Sequence, residues 1–148
     1  REIFIQDRQK HLARMMRMIA LADIVKLSDE DLAWFAEPGE EHAVIRRWLA
    51  LGPKLIVVTR GADGADAWTA NFHLHVPGIR VTVADTVGAG DTVNAGILAS
   101  LSQAGLLEKP KLVTLSREQV RRAVDLGMRA AAVTVSRPGA NPPWDHEL

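Results

Sequence analysis

The chain has 148 residues, of which 47% are hydrophobic and 24% charged, so it can form one globular domain and is neither disordered nor fibrous. Its 18 basic residues balance 18 acidic residues, which leaves no net field to attract nucleic acid or an anionic membrane. Cysteine is absent, which excludes disulfides and thiolate metal sites and fits a reducing compartment, so a cytoplasmic location is expected.

The first part of the chain alternates between amphipathic helices and short apolar strands. Residues from about 7 to 21 carry apolar side chains at helical spacing and predict a helix whose basic side is a solvated face rather than a membrane-binding surface. A short buried strand is expected over 23–27, and Ser28 begins the next short helix. A further helix is predicted over 40–51, followed by an internal strand over 54–59.

The second part is predicted to contain three short strands and then helices. The strands are expected over 65–69, 72–76 and 80–84, because turn signals separate runs of alternating apolar residues. Ser116 and Gln119 have the spacing of a capping box, which predicts the start of a helix that ends near Val135. The overall alternation favours an α/β fold with a mostly parallel central sheet.

The most informative motif is the segment from Asp85 to Thr92, which precedes a helical run. Gly88 and Gly90 allow a tight turn and close approach of the backbone to a ligand. The first N–H groups of a helix have no partner within the helix and favour an anion such as phosphate. The same residues also fit a plain turn that ends in a helix-starting acid, Asp91.

The longer run Asp85 to Gly96, DTVGAGDTVNAG, resembles the C-terminal signature of the ribokinase-like, or PfkB, family of sugar kinases. The resemblance implies a three-layer α/β/α fold, ATP and Mg²⁺ as cofactors, and a small sugar as the partner molecule. It implies that Asp91 is the general base on the sugar hydroxyl. It also implies that Gly88, Ala89 and Gly90 form the anion hole for the transferred phosphoryl group.

A second glycine loop, from Thr59 to Gly64, directly follows the predicted internal strand and resembles the nucleotide-contacting loop of the same family. Glycine is common where a strand enters a turn, so the loop alone would be a weak indication. Ligands bind at the carboxyl ends of strands in open α/β sheets. The resemblance therefore implies a set of nucleotide contacts here, which comprises Thr59, Arg60, Gly61, Ala62 and Gly64.

The C-terminal segment resembles the part of the family that borders adenine and helps to hold a monovalent cation. Small residues from Ala130 onward would let a flat ring lie close, although they also permit plain helix packing. The resemblance also implies that Met128 is a nucleotide-binding residue, although relatives often carry Asn or His near this position and methionine cannot replace their polar contact. Oxygen ligands suit a hard cation such as K⁺, and the implied set is Asp85, Val87, Thr134, Arg137 and Gly139, mostly through backbone carbonyls.

Three further groups of polar residues either have two interpretations or give little support for a catalytic or metal site. Ser28 and Asp31 fall where many relatives carry Asn-x-x-Glu, so Asp31 either orients magnesium-bound water or forms a helix cap with Ser28. His73 and His75 share one strand face without an evident third ligand, which favours a solvated or structural pair over a metal site. Ser100 and Ser102 lack the neighbours of a serine hydrolase.

The resemblance covers nearly all of the chain but only the C-terminal half of the family. We therefore expect residues 1–148 to be a fragment, with the sugar-binding half and lid outside it, and a homodimer for the full-length enzyme. The sequence from Ala22 to Asp31 is most similar to that of bacterial-type fructokinases, with 2-keto-3-deoxygluconate kinases and ribokinases as alternatives. A non-catalytic nucleotide-binding module or an inactive fragment is the rival hypothesis, and exposed strand edges would favour self-association.

Overall fold

A computed structural model describes residues 7–36 and 39–148 of the chain. Within that part, six α-helices and four β-strands alternate and then give way to helices. The helices are α1 Arg8–Leu21, α2 Asp29–Leu32, α3 Glu41–Leu51, α4 Ala89–Gln103, α5 Lys109–Leu112 and α6 Arg117–Val135. The strands are β1 Ile24–Ser28, β2 Leu55–Thr59, β3 Ala65–Trp68 and β4 His73–Val76.

The four strands form one mixed sheet in the order β1-β2-β3-β4. Strands β1 and β2 are parallel, with Ile24 opposite Leu55, because α2 and α3 carry the chain back to the other end of the sheet. Strands β2, β3 and β4 are antiparallel neighbours joined by short turns. The expected α/β class is confirmed, and within the described residues one of the three strand pairs is parallel.

Helices cover both faces of the sheet, which gives the three layers. Strand β2 is buried on both sides, because its side chains alternate between two hydrophobic clusters. The first cluster joins the sheet to α1, α2 and α3, and contains Ile19, Leu27, Leu32, Val44, Ile45, Trp48, Ile56, Val58 and Trp68. Leu55 and Val57 of β2 point to the opposite face.

The second cluster packs α4 and α6 against the other face of the sheet. It includes Val93, Ile97 and Leu101 of α4 and Val120, Ala123, Val124 and Met128 of α6, beside Leu74 and Val76 of β4. The two helices approach backbone to backbone, since a Cβ atom at Gly96 would lie 2.6 Å from the Cα atom of Gly127. This packing fixes the start of α4 relative to α6.

Several predicted elements are confirmed with shifts of one or two residues. Asp7 caps α1 through a hydrogen bond from the Lys10 N–H, and the predicted capping box of Ser116 and Gln119 begins α6. The short helix α5 was not predicted. Its four residues are too few for a helical repeat to be visible in the sequence.

The strand expected over 80–84 is wrong, since no strand is assigned there. The segment has alternating valines, but Val81 and Val83 are exposed and the N–H groups of Ala84 and Asp85 both donate to the carbonyl of Val135 at the end of α6. A strand needs a ladder of hydrogen bonds with a neighbouring strand, and this segment contacts a helix end instead.

No helix in the described part of the chain is long and apolar enough to cross a bilayer.

Candidate active site

Helix α4 begins at a glycine turn that faces two clefts. Gly88, the residue before the helix, has φ +80° and ψ −5°, a left-handed conformation that glycine adopts without steric cost. No side chain caps this helix start. The first-turn N–H groups of Gly90 and Asp91 therefore lie at the positive end of a 15-residue helix, where a negative charge is stabilised.

The first cleft, here the Asp91 cleft, has a volume of about 680 Å³. Exposed Asp91 in the first turn of α4 lines it, together with Gly88 and Gly90. Asp31, in the short helix α2 that directly follows β1, lies on the same cleft. The other lining residues are Met15, Met18, Ile19, Ala22, Ile24, Val25, Lys26, Leu27, Thr86, Val87 and Asn94.

Lys26 of β1 also lines the Asp91 cleft, at a position that no motif in the sequence marks. A Cβ atom at Gly90 would lie 2.6 Å from the Lys26 Nζ atom, so the ammonium group packs against the first turn of α4. The cleft thus brings a cation to the same helix start that the glycine turn opens. Lys26 and Gly90 are 64 positions apart in the chain and no local motif joins them, so only the packing of α4 beside β1 reveals this proximity.

The second cleft, here the Met128 cleft, has a volume of about 620 Å³. Three residues of the predicted nucleotide set line it, namely Thr59, Gly61 and Ala62. Buried Met128 lines it with Ala131 and Ala132 of α6, so the small-residue helix does form a wall. The remaining lining residues are Asp63, Ile79, Arg80, Val81, Val83, Thr86, Ala89, Gly90, Val93 and Val135.

Arg60 and Gly64, the other two residues of that set, do not line the Met128 cleft. The Arg60 guanidinium donates to Glu41 at 2.8 Å and to Asp66 at 2.7 Å, and these bonds raise the pKa of Arg60 above its ordinary value. Gly64 is buried with φ +106°, and a Cβ atom there would lie 2.1 Å from the carbonyl oxygen of Val76. The structure gives both residues partners within the protein.

Asp85 joins the loop before α4 to the loop after α6. Its carboxylate accepts hydrogen bonds from the Val87 N–H and the Gly139 N–H, each at 3.0 Å. These backbone donors hold the pKa of Asp85 below its usual range. The structure thereby brings together three of the five residues predicted to hold the monovalent cation.

The other two residues of the cation set lie at the end of α6. Thr134 is fully buried, and its carbonyl accepts the N–H of Arg137 at 3.2 Å. The Arg137 side chain forms an ion pair with Glu147, which raises the pKa of Arg137. The Arg137 side chain is therefore engaged with an acid, so its backbone is the part left to serve as a ligand.

Asp31 takes part in a helix cap and lines the Asp91 cleft at the same time. The Ser28 Oγ atom accepts the Asp31 N–H at 3.1 Å, and the Asp31 carboxylate accepts the Ser28 N–H at 3.4 Å. The helix cap, one of the two interpretations of Ser28 and Asp31 left open by the sequence, is thus present as a capping box. Because the carboxylate borders the cleft, the cap also fixes its orientation there.

His73 and His75 share a hydrogen-bonding partner that the sequence did not reveal. The carboxylate of Asp66 on β3 accepts from His73 at 3.1 Å and from His75 at 3.0 Å, as well as from Arg60. Burial opposes ionisation of Asp66, but these donors outweigh it and hold its pKa below the usual value. No group of three or more His, Asp or Glu side chains suited to a metal ion occurs within residues 7–36 and 39–148.

Comparisons with known proteins agree with this architecture. A model of the pfkB family carbohydrate kinases matches residues 3–147. Fructokinase from Rhizobium leguminosarum bv. trifolii is 50% identical over 122 residues, which cover 82% of this chain and 37% of that protein. The chain therefore spans well under half the length of this relative.

Two solved structures show how far the similarity extends in three dimensions. Fructokinase with bound ATP from Xylella fastidiosa has a TM-score of 0.79 at 29% identity, and the match covers 86% of this chain and 41% of that one. Fructokinase from Vibrio cholerae O395, in a form with fructose, ADP and calcium ion bound, has a TM-score of 0.74 at 31% identity. That match covers 89% of this chain and 41% of the Vibrio chain.

The layered sheet and the glycine turn between two clefts place the chain in the ribokinase-like class of α/β proteins. The family match over nearly the whole chain is more specific. The chain belongs to the pfkB family of carbohydrate kinases.

Proposed function

We propose that the chain is the nucleotide-binding and phosphoryl-transfer part of an ATP-dependent sugar kinase, with fructose as the sugar. The observation that carries the proposal is the position of Gly90, which lines both the Asp91 cleft and the Met128 cleft. A phosphoryl group that moves from nucleotide to sugar must pass between two binding sites. The first turn of α4 is the wall that the two clefts share.

The Met128 cleft is the proposed site of ATP. The loop after β2 supplies Thr59, Gly61 and Ala62, while Ala131 and Ala132 leave a flat apolar wall for the adenine ring. The resemblance between this chain and a fructokinase with bound ATP supports the placement. ATP bound there would direct its phosphates toward the glycine turn.

The glycine turn is the proposed anion hole. Backbone donors that point at the equatorial oxygens of the moving phosphoryl group stabilise charge where it develops in the transition state. Gly88, Ala89 and Gly90 form this turn without a side-chain cap, which leaves room for an anion. Lys26, packed against Gly90, would add positive charge on the side of the Asp91 cleft.

Asp91 is the proposed general base. Phosphoryl transfer requires that a sugar hydroxyl lose its proton as its oxygen attacks, and a positioned carboxylate receives it. Asp91 is exposed in the cleft, one residue from the turn that would hold the phosphoryl group. Acceptor and donor would therefore meet at one helical turn.

The proposed cofactor of the nucleotide is Mg²⁺. This ion usually keeps several waters and binds through one or two carboxylates plus substrate phosphates, so it needs no cluster of protein ligands. Asp31, fixed by its cap in the Asp91 cleft, fits such a role in orienting metal-bound water. When bound, Mg²⁺ would neutralise charge on the ATP phosphates. The proposed monovalent ion, K⁺, would lie at the loops that Asp85 joins.

The full-length protein with Asp91→Asn tests the proposal. We expect fructose-dependent ADP formation to fall by about 10²- to 10⁴-fold, because the base is lost while the shape of the side chain is kept. ATP affinity, measured by calorimetry, should stay close to that of the unchanged protein. A coupled ADP assay with fructose, ribose and 2-keto-3-deoxygluconate would identify the sugar in the same experiment.

Asp125→Asn is the matched control, since Asp125 is exposed on α6 and lines neither cleft. This variant should retain full turnover. Unchanged turnover in Asp91→Asn would overturn the assignment of the base, and absence of sugar phosphorylation in the unchanged protein would overturn the proposed activity.

A further inference from the structure

Two buried threonine hydroxyls connect α6 to the start of α4. Thr92 is 8% exposed and Thr134 is 0% exposed. Within the described part of the chain, they are the only buried residues that are polar or charged. Their Oγ1 atoms lie 3.1 Å apart. Burial of a hydroxyl group costs desolvation free energy unless the group is hydrogen-bonded. An apolar pair of similar shape would avoid this cost.

The hydroxyl pair ends on the carbonyl of Gly88. The Thr92 hydroxyl donates to the Gly88 oxygen at 2.9 Å, and the Thr92 N–H donates to the same oxygen at 2.9 Å. The Thr134 hydroxyl lies 3.1 Å from both Thr92 Oγ1 and the Ala130 carbonyl. When Thr134 donates to Thr92, each hydroxyl uses one proton and the chain runs from Thr134 through Thr92 to Gly88.

The hydrogen bonds to the Gly88 carbonyl affect the orientation of the glycine turn. Gly88 has no Cβ atom and adopts a left-handed conformation, so its own backbone preferences do not fix it. A peptide unit is planar, and the Gly88 carbonyl shares its plane with the N–H of Ala89. Bonds that hold the Gly88 oxygen from the interior therefore fix the path of the backbone into Gly90 and Asp91.

We propose that Thr92 and Thr134 are positioning residues, which hold the glycine turn of α4 in the orientation that receives the transferred phosphoryl group. The inference rests on the proposed function for its catalytic consequence. Because α6 also forms the wall of the Met128 cleft, the pair ties the nucleotide site to the turn by a polar contact within an otherwise apolar interface.

The test replaces each threonine by valine in the full-length protein, which keeps the side-chain shape and removes the hydroxyl. We expect Thr92→Val and Thr134→Val each to lower kcat by roughly tenfold, the worth of one buried hydrogen bond, with KM for ATP within about twofold. Thr92→Ser and Thr134→Ser should restore kcat. The double valine variant should lose no more than Thr92→Val, since Thr134 acts through Thr92.

Val124→Ala is the matched control, because Val124 is fully buried in the same helix interface and carries no hydroxyl. It should lower the melting temperature and leave kcat unchanged. Valine variants whose kcat stays within twofold, additive losses in the double variant, or serine variants without rescue would each overturn the proposal. Should Thr134→Val fail to fold, Thr92→Val and Thr134→Ser decide the same question.

A second measurement does not depend on turnover. Hydrogen exchange of the peptide that contains Gly88 to Thr92 should quicken in both valine variants by roughly tenfold relative to the unchanged protein and to Val124→Ala. Equal exchange in all four proteins would overturn the positioning role. If the unchanged protein phosphorylates no sugar, the proposed function fails and this measurement still decides the positioning role.

Discussion

Asp85 links two loops whose contacting residues are 54 positions apart in the chain. Its carboxylate accepts from the backbone of Val87 before α4 and of Gly139 after α6. The neutral acid accepts these bonds less well, so ionisation and the link favour each other. The geometry of the proposed K⁺ loops therefore depends on the charge of one side chain.

The link should persist to a lower pH than the ionisation of an ordinary aspartate does. Because the pKa of Asp85 is lower in the folded protein than in the unfolded chain, its stabilising contribution is complete above the unfolded value of about 3.9. The contribution is lost as pH falls through the lower folded pKa. The amide proton shifts of Val87 and Gly139, followed by NMR against pH, should share one midpoint below that of an ordinary aspartate.

Asp85→Asn should remove this shared titration, while Asp63→Asn, a change at an exposed residue outside the link, should leave it in place. A midpoint at or above about 3.9 would contradict the role given to the two backbone donors.

At the scale of elements, the loop after β2 contains two glycines that differ in what surrounds them. Gly61 has φ +53° and nothing within 4 Å of a Cβ position, and it lines the Met128 cleft. Gly64 has φ +106°, and its Cβ position lies 2.1 Å from the Val76 carbonyl oxygen and 2.6 Å from the Gly78 nitrogen. One position faces the cleft and the other contacts the end of β4.

The two alanine substitutions should therefore affect the free energy of unfolding very differently. Gly61→Ala should cost roughly 1 kcal/mol, the penalty of a left-handed conformation for a residue with a Cβ atom. Gly64→Ala should cost more than about 3 kcal/mol, because backbone atoms of β4 would have to move. Urea unfolding of both variants measures this, with Gly61→Ala as the matched control. Equal losses would show that Gly64 is not fixed by β4.

The elements differ in how far the sequence could predict them. Strand β2 was predicted because Leu55 to Val58 are apolar and Ile56 to Thr59 are β-branched, which suits a strand buried on both faces. The segment 80–84 was predicted as a strand because its valines alternate with other residues, yet Val81 and Val83 face the Met128 cleft and solvent instead of a sheet core. Alternation of apolar residues indicates that one face of a segment lies against apolar groups. It does not reveal whether a neighbouring strand is present to form backbone hydrogen bonds.

The same limit applies to the site. Asp91 and the glycine turn are contiguous in the chain, so one motif was enough to predict that they lie together. Arg60 was predicted to contact the nucleotide, and the sequence did not reveal its partners within the protein, which are Glu41, 19 positions earlier, and Asp66. Lys26 and the Thr92–Thr134 pair were missed because their contacts depend on how α4 packs against β1 and against α6.

At the scale of the whole molecule, we propose that the Met128 cleft needs no residues beyond this chain, whereas the Asp91 cleft is completed by the sugar-binding half that we expect outside it. The Met128 cleft is lined from the loop after β2, the segment before α4 and α6, all within the 148 residues. The chain covers 37% of its Rhizobium relative and 41% of the Xylella structure. We therefore expect the nucleotide site to function without the remainder of a full-length kinase.

The 148-residue chain alone should bind Mg²⁺-ATP in calorimetry, and Ala132→Phe should abolish the heat of binding. Ala132 is a buried residue on the wall of the Met128 cleft, so a phenyl ring there would occupy the space proposed for adenine. Ala99→Phe is the matched control, because Ala99 is exposed on α4 and lines neither cleft. Binding that survives in Ala132→Phe would place the nucleotide elsewhere.

The wall between the clefts has a practical consequence for inhibitor design. Thr86 and Gly90 line both clefts, so little more than one backbone turn separates the two volumes. A bisubstrate compound, in which a short polyphosphate joins adenosine to a sugar analogue, could span this turn without unfolding either site. Its second half would then bind at the effective concentration set by the linker, on the order of millimolar, so its affinity would exceed that of either half alone.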